Sequence, residues 1–154
     1  MAFEVEPIAI VRSSRKGLAD DYWGRVVAEI TLQERFGEEA FYGLTDFSHV
    51  EILFLMDQVD PAKVETGARH PRERADWPLV GIFAQRGKAR PNRLGLTRAK
   101  INNVHGKTLV VSGLDAIDGT PVLDIKPWMN EFAPIGATHQ PEWAGELMRD
   151  YFKS

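Results

Sequence analysis

Cysteine is absent from the 154-residue chain, which excludes disulfides, thiolate metal ligands and a cysteine nucleophile. No apolar run approaches the ~20 residues that a membrane-spanning helix needs, and the first residues lack a signal-peptide pattern. No Ser stands in a G-x-S-x-G elbow, and Gly81, Gly87 and Gly95 do not make G-x-G-x-x-G. Hydrolytic chemistry and a dinucleotide-type site therefore have no signal. Neither an internal repeat nor a low-complexity tract is present.

One absence is local. Residues 77–114 contain no Asp or Glu but seven cations: Arg86, Lys88, Arg90, Arg93, Arg98, Lys100 and Lys107. Since the whole chain carries −3, the remainder sums to −10. Such asymmetry focuses a positive field on one region, toward which phosphates and carboxylates are steered. Four of the cations fall within the run R-G-K-A-R-P-N-R at 86–93. Gly87 permits unusual backbone angles and Pro91 fixes one, so the turn is shaped rather than loose. Arg grips phosphate or carboxylate in bidentate fashion better than Lys does. An anion or nucleic-acid site and a solvated hairpin tip are the two readings of this stretch.

What is present otherwise is ordinary. A hydrophobic fraction of 44% and a charged fraction of 27% describe a globular protein with one core, expected as a single domain over 1–154 in the cytoplasm. Alternating or continuous apolar runs predict strands over 3–12, 26–32, 46–57, 79–84, 96–104, 108–114 and 122–125. A helical turn is expected around Ala40 and Phe41. The polar, proline-containing stretch 61–78 predicts an extended surface loop or arm. Residues 141–152 predict an amphipathic helix with proline at its start and acids in its first turns. Short strands between Gly/Pro turns imply a mainly β fold: a small closed or nearly closed antiparallel β-barrel with a C-terminal helix.

Two further groups of residues can carry chemistry. His49, in F-S-H-V, enters the most apolar strand, either as a structural residue or as a site group. Asp115, Asp118 and Asp124 surround Gly119-Thr120, where they either cap turns or approach a cation. Their spacing matches no EF-hand loop, and no metal is expected.

Several stretches together resemble the YaeB/TsaA-like family, whose best-known members are tRNA N6-methyltransferases. They are I-A-I-V-R-S, D-F-S-H-V-E-I-L-F, H-P-R-E-R-A-D-W-P-L-V-G-I-F-A-Q-R-G-K-A-R-P-N-R-L-G-L-T, and G-L-D-A-I-D-G-T-P-V-L-D-I-K-P-W. Their order and spacing follow the family from roughly Phe3 to Trp128, in a short form without the C-terminal domain of the long members. The resemblance implies a β-barrel that binds S-adenosylmethionine, forms a homodimer and methylates N6 of threonylcarbamoyl-adenosine beside the tRNA anticodon.

By matching positions, the cofactor would meet His49 and Val50, Arg86, and Leu96 past the R-P-N-R-L-G run. It would also meet Ser112, Gly113, Leu114 and Asp115. The family's P-R-Q element is missing, and Tyr22 and Trp23 fall near its place. The N6 proton would pass to His49, Asp118 or water. Lys88, Arg90 and Arg93 would contact tRNA phosphates, with Arg98 and Lys100 as lesser candidates, while Arg90-Pro91-Asn92 is equally readable as a structural corner. Trp77 and Trp143 are expected as exposed aromatics that mark the dimer interface. Arg93 stands where many members carry Pro. Two alternatives stay open: S-adenosylmethionine-dependent methylation of another RNA or a small molecule, and a non-catalytic RNA- or anion-binding barrel.

Overall fold

The computed structural model describes residues 1–154. Six strands close into an antiparallel barrel: β1 (Ala9–Ser13), β2 (Val27–Leu32), β3 (His49–Leu55), β6 (Leu94–His105), β7 (Thr108–Ser112) and β8 (Pro121–Pro127). Two short strands, β4 (Ala68–Arg69) and β5 (Val80–Gly81), pair as a separate ribbon. Around the barrel the order is β1-β2-β7-β6-β3-β8, with β8 returning to β1 through Ala9 and Val122. The sole α-helix, α1, spans Glu142–Met148. No helix is long and apolar enough to cross a membrane.

The barrel follows from period-two patterning. In β3 the residues Val50, Ile52 and Phe54 turn inward, and His49, Glu51, Leu53 and Leu55 turn outward. Ile30, Leu109, Val111, Val122 and Leu114 meet them in the core, each fully buried. Closure removes the free edges that such apolar strands would otherwise expose.

The longest strand, β6, serves two neighbours. Its first half pairs with β3, from Leu94 opposite Leu55 to Lys100 opposite His49. Its second half pairs with β7, from Lys100 opposite Ser112 to His105 opposite Thr108, with a bulge between Ile101 and Asn103. Lys100 therefore stands between His49 and Ser112 in one row across three strands.

Five expectations need correction. The first strand begins at Ala9 rather than Phe3, because Phe3 and Val5 are exposed with no strand to pair with. The strand expected over 79–84 lasts two residues, since Ile82–Ala84 tighten into a 3-10 turn that buries Ile82. The arm 61–78 is tied down: Ala68–Arg69 pair with Val80–Gly81, and Pro71 and Trp77 are buried. Trp77 is accordingly no exposed aromatic, for its indole Nε1 donates to Glu146 of α1 at 2.8 Å. Finally, α1 stops at Met148 because the next residues leave the helix to bond with residues 22–24.

Candidate ligand site around Asp115

The chain leaves β7 at Ser112 and turns on Gly113, whose φ of +82° suits glycine. Its N–H donates to the Val26 carbonyl at 3.1 Å, and a Cβ placed there would meet no atom within 4 Å. Open space thus borders the turn. Buried Leu114 and Ala116 then anchor the backbone on either side of Asp115. The Asp115 carboxylate accepts a hydrogen bond on each oxygen, from the Thr97 hydroxyl of β6 and from the Tyr151 phenol.

Arg86 completes the neighbourhood. It is exposed, and its Nη2 donates to the Leu96 carbonyl at 2.6 Å, one residue from Thr97. The Tyr151 hydroxyl is pushed well above its ordinary range, first by burial and then by the charge of Asp115, with Arg86 partly offsetting the shift. A cation, a carboxylate, two hydroxyls and turn backbone therefore converge on the start of β6.

The remaining predicted residues divide by location. His49 and Val50 lie along β3 opposite Lys100 and Ala99, three and two residues past Thr97 on β6. That places them roughly 7–10 Å farther along the barrel wall. His49 Nδ1 shares a 2.7 Å hydrogen bond with Ser48 Oγ. Asp118 lies elsewhere: its Oδ1 accepts from the Ser13 N–H at 3.0 Å, and its own N–H donates to the Arg15 carbonyl. It thereby ties the end of β1 to the next loop.

That loop, residues 14–24, is held by its own side chains and by its neighbours. Arg15 stacks 3.8 Å over the Trp23 ring and donates to the carbonyls of Ala19, Asp21 and Tyr22. Arg72 pairs with both oxygens of Asp21 at 2.9 and 3.3 Å. Trp23 is buried, whereas Tyr22 is exposed with a φ of +69°. Arg72, Glu73, Asn92 and Arg93 also have positive φ, so strained non-glycine backbone gathers in the loops of this region.

The basic turn is heavily engaged within the chain. Arg90 Nη1 donates to the Gln85 carbonyl at 2.7 Å, and Arg93 Nη1 donates to the Val59 carbonyl at 2.9 Å. Lys88 reaches the Leu18 carbonyl at 3.3 Å and Asp20 at 3.9 Å. Arg98 stacks over Trp128 at 4.2 Å and lies 3.9 Å from Glu51, while Lys100 is exposed. Arg90-Pro91-Asn92 is thus a corner held by its own guanidinium.

Three residues of this region carried no sequence signal. Thr97 and Tyr151 hold Asp115, and their alignment depends on strand register and on a contact between distant segments. Arg69 packs beside Gly87, where an added Cβ would lie 3.3 Å from its Nη2, and its buried Nε has no partner.

Two concavities lie apart from Asp115. A cavity of about 480 Å³ opens at the opposite end of the barrel, between Phe36, Phe41, Phe47 and Ile125. It is mostly apolar and brings no set of catalytic groups together. A smaller one of about 230 Å³ lies on the outer wall, among Glu51, Leu53, Leu96, Asp124 and Lys126. No group of three or more His, Asp or Glu is placed to hold a metal ion.

Known proteins resemble this chain in sequence and fold. The profile of the tRNA-methyltransferase O N-terminal domain matches residues 20–133. A tRNA (adenine(37)-N6)-methyltransferase of Mus musculus is 41% identical over 95 residues, which cover 62% of this chain and 22% of that protein. A probable S-adenosyl-L-methionine-binding protein of Methanothermobacter thermautotrophicus is 33% identical over 139 residues, 88% of this chain and 97% of that one. The crystal structure of TrmO from Pseudomonas aeruginosa superposes with a TM-score of 0.74 at 28% identity, over 93% of this chain and 62% of that chain.

Proposed function

The chain belongs to the tRNA-methyltransferase O N-terminal domain family, and from that membership we propose that it binds S-adenosylmethionine and methylates N6 of adenine 37 in tRNA. The observation that carries the proposal is the convergence of Arg86, Leu96, Thr97 and Asp115 on one stretch of β6. This donor set fits a zwitterionic nucleoside. Arg86 pairs with a carboxylate, Asp115 accepts from an ammonium or a ribose hydroxyl, and the backbone of Ser112, Gly113 and Leu114 meets an adenine edge. Open space beside Gly113 gives such a group room. His49 and Val50 mark the far limit of the site along β3.

When bound, the cofactor supplies a methyl group on a sulfonium, already a good leaving group. The protein's share of the work is alignment of donor and acceptor, which is worth several orders of magnitude in rate. The proton lost from N6 passes to His49. His49 shares its Nδ1 with Ser48 Oγ and keeps Nε2 for the proton, whereas Asp118 is turned toward the Ser13 N–H. Lys88, Arg90 and Arg93 contact phosphate through the donors that their internal bonds leave over, since a guanidinium has five N–H groups and an ammonium three. The substrate is threonylcarbamoyl-adenosine, the protein acts in the cytoplasm, and it is a homodimer joined through exposed apolar side chains such as Phe3, Phe83 and Phe132.

One observation favours a second reading. Because Arg90 and Arg93 already serve backbone carbonyls, the turn is a weaker phosphate grip than its composition implies. A different RNA or a small molecule would then be the methyl acceptor. Calorimetric titration with S-adenosylmethionine tests the shared premise: micromolar binding is expected, at least tenfold weaker in Arg86→Ala, and absence of both heat and thermal shift would reject it. Mass spectrometry of tRNA nucleosides from cells with and without the gene separates the readings. Loss of the methylated threonylcarbamoyl-adenosine is expected, and an unchanged profile would leave only the second.

A further inference from the structure

Asp115 is held from two sides, and one of them is remote in sequence. Thr97 comes from the neighbouring strand β6, whereas Tyr151 comes from the segment after α1. That segment is fastened along the 14–24 loop by three backbone hydrogen bonds. The N–H groups of Tyr22, Trp23 and Gly24 donate to the carbonyls of Asp150, Tyr151 and Lys153 at 3.1, 2.8 and 3.3 Å. The Trp77–Glu146 bond fixes α1 to the other side. Tyr151 is therefore delivered to Asp115 on a braced support.

A carboxylate offers about four lone-pair positions. Thr97 uses one on Oδ1 and Tyr151 one on Oδ2, which leaves a free position on each oxygen. Two anchors on opposite oxygens prevent rotation of the carboxylate about its terminal bond. Burial and the charges of Asp115 and Asp20 keep the phenol protonated, and Arg86 is the only cation opposing them. The hydroxyl is thus a donor to Asp115 across the neutral range.

We propose that Tyr151 is a positioning residue of the ligand site, holding Asp115 in the orientation that accepts from a ligand hydroxyl or ammonium. The proposal rests on the reading that Asp115 binds S-adenosylmethionine. It makes the segment following α1 part of the binding machinery, although Tyr151 itself touches no ligand.

The test is a double-mutant cycle read by calorimetric titration with S-adenosylmethionine. Tyr151→Phe removes one hydroxyl and is expected to weaken binding about tenfold, the usual cost of a lost bond to a charged group. Asp115→Ala should weaken it further. Tyr151→Phe added to Asp115→Ala should change nothing more, because the tyrosine acts only through the carboxylate. Hydrogen exchange at the Trp23 amide reports whether the braced segment stays in place, and protection equal to the parent protein is expected.

Full affinity in Tyr151→Phe, or additive effects in the double variant, would overturn the proposal. So would loss of Trp23 protection together with affinity, which would make the tyrosine a structural tether. An Asp115→Ala protein that binds normally would instead reject the underlying ligand assignment, and Tyr151 with it.

Discussion

At Gly95 the backbone of β6 crosses the Phe54 ring so closely that a Cβ would lie 2.4 Å from two of its carbons. Phe54 is buried in the core, so a shift of its ring must displace packed neighbours. Gly95→Ala should therefore cost about 1–3 kcal/mol, as overpacking in a close-packed interior does, and chemical denaturation measures it. An unchanged midpoint would show that the ring finds another rotamer. Tyr151 makes a prediction in pH. Its folded pKa lies above the ordinary value of 10, so the folded state keeps a proton that the unfolded chain releases. Stability from this group is complete below about pH 10 and falls as pH rises beyond it. Tyr151→Phe should flatten the alkaline limb of the stability curve above pH 10 while leaving the neutral range less affected. The groups facing the phenol are Asp115, Asp20 and Arg86.

Among the elements, the segment after α1 is the most dependent on one small residue. A Cβ at Gly24 would lie 1.9 Å from the Phe152 carbonyl oxygen, which is backbone and cannot rotate away. Gly24→Ala should lift residues 150–153 from the loop, exposing the Tyr22 and Trp23 amides to exchange while the barrel amides keep their protection. Unaltered exchange at Trp23 would contradict the clamp. The same segment marks the limit of what the sequence made legible. The strand over 49–55 was readable because its apolar run is rich in β-branched and aromatic residues, whereas the inward face at Val50, Ile52 and Phe54 emerged with the fold. The pairing of 150–153 with 22–24 was not, because it uses backbone groups and leaves no mark in residue type. Residues 79–84 failed for a related reason: an apolar run shows burial, and here burial is achieved by a 3-10 turn. For the candidate site, motif resemblance pointed to Arg86 and Asp115, but Thr97 and Tyr151 needed three-dimensional register.

For the molecule as a whole, charge is the relevant quantity. The acid-free stretch 77–114 folds into β5, the basic turn, β6 and β7, so its cations fall on neighbouring elements. RNA binding by this face should weaken steeply with salt, by about 0.7–0.9 in the log–log slope for each phosphate engaged. Lys88→Ala should weaken binding and reduce that slope by about one contact. A slope near zero in the parent protein would remove phosphate from the account and favour a small methyl acceptor.

The seam of the barrel has a consequence in time. It joins β1 to β8, which follows the other five barrel strands along the chain, and Tyr151 follows both. A growing chain therefore passes through a stage in which β1, β2, β7, β6 and β3 have emerged without β8, and the sheet is an unclosed curl with β1 and β3 as bare edges. The loop at 20–24 is then already synthesised and has nothing to grip. Ribosome-bound chains cut short before Asp150 should acquire the sheet while the Tyr22 and Trp23 amides remain open to exchange.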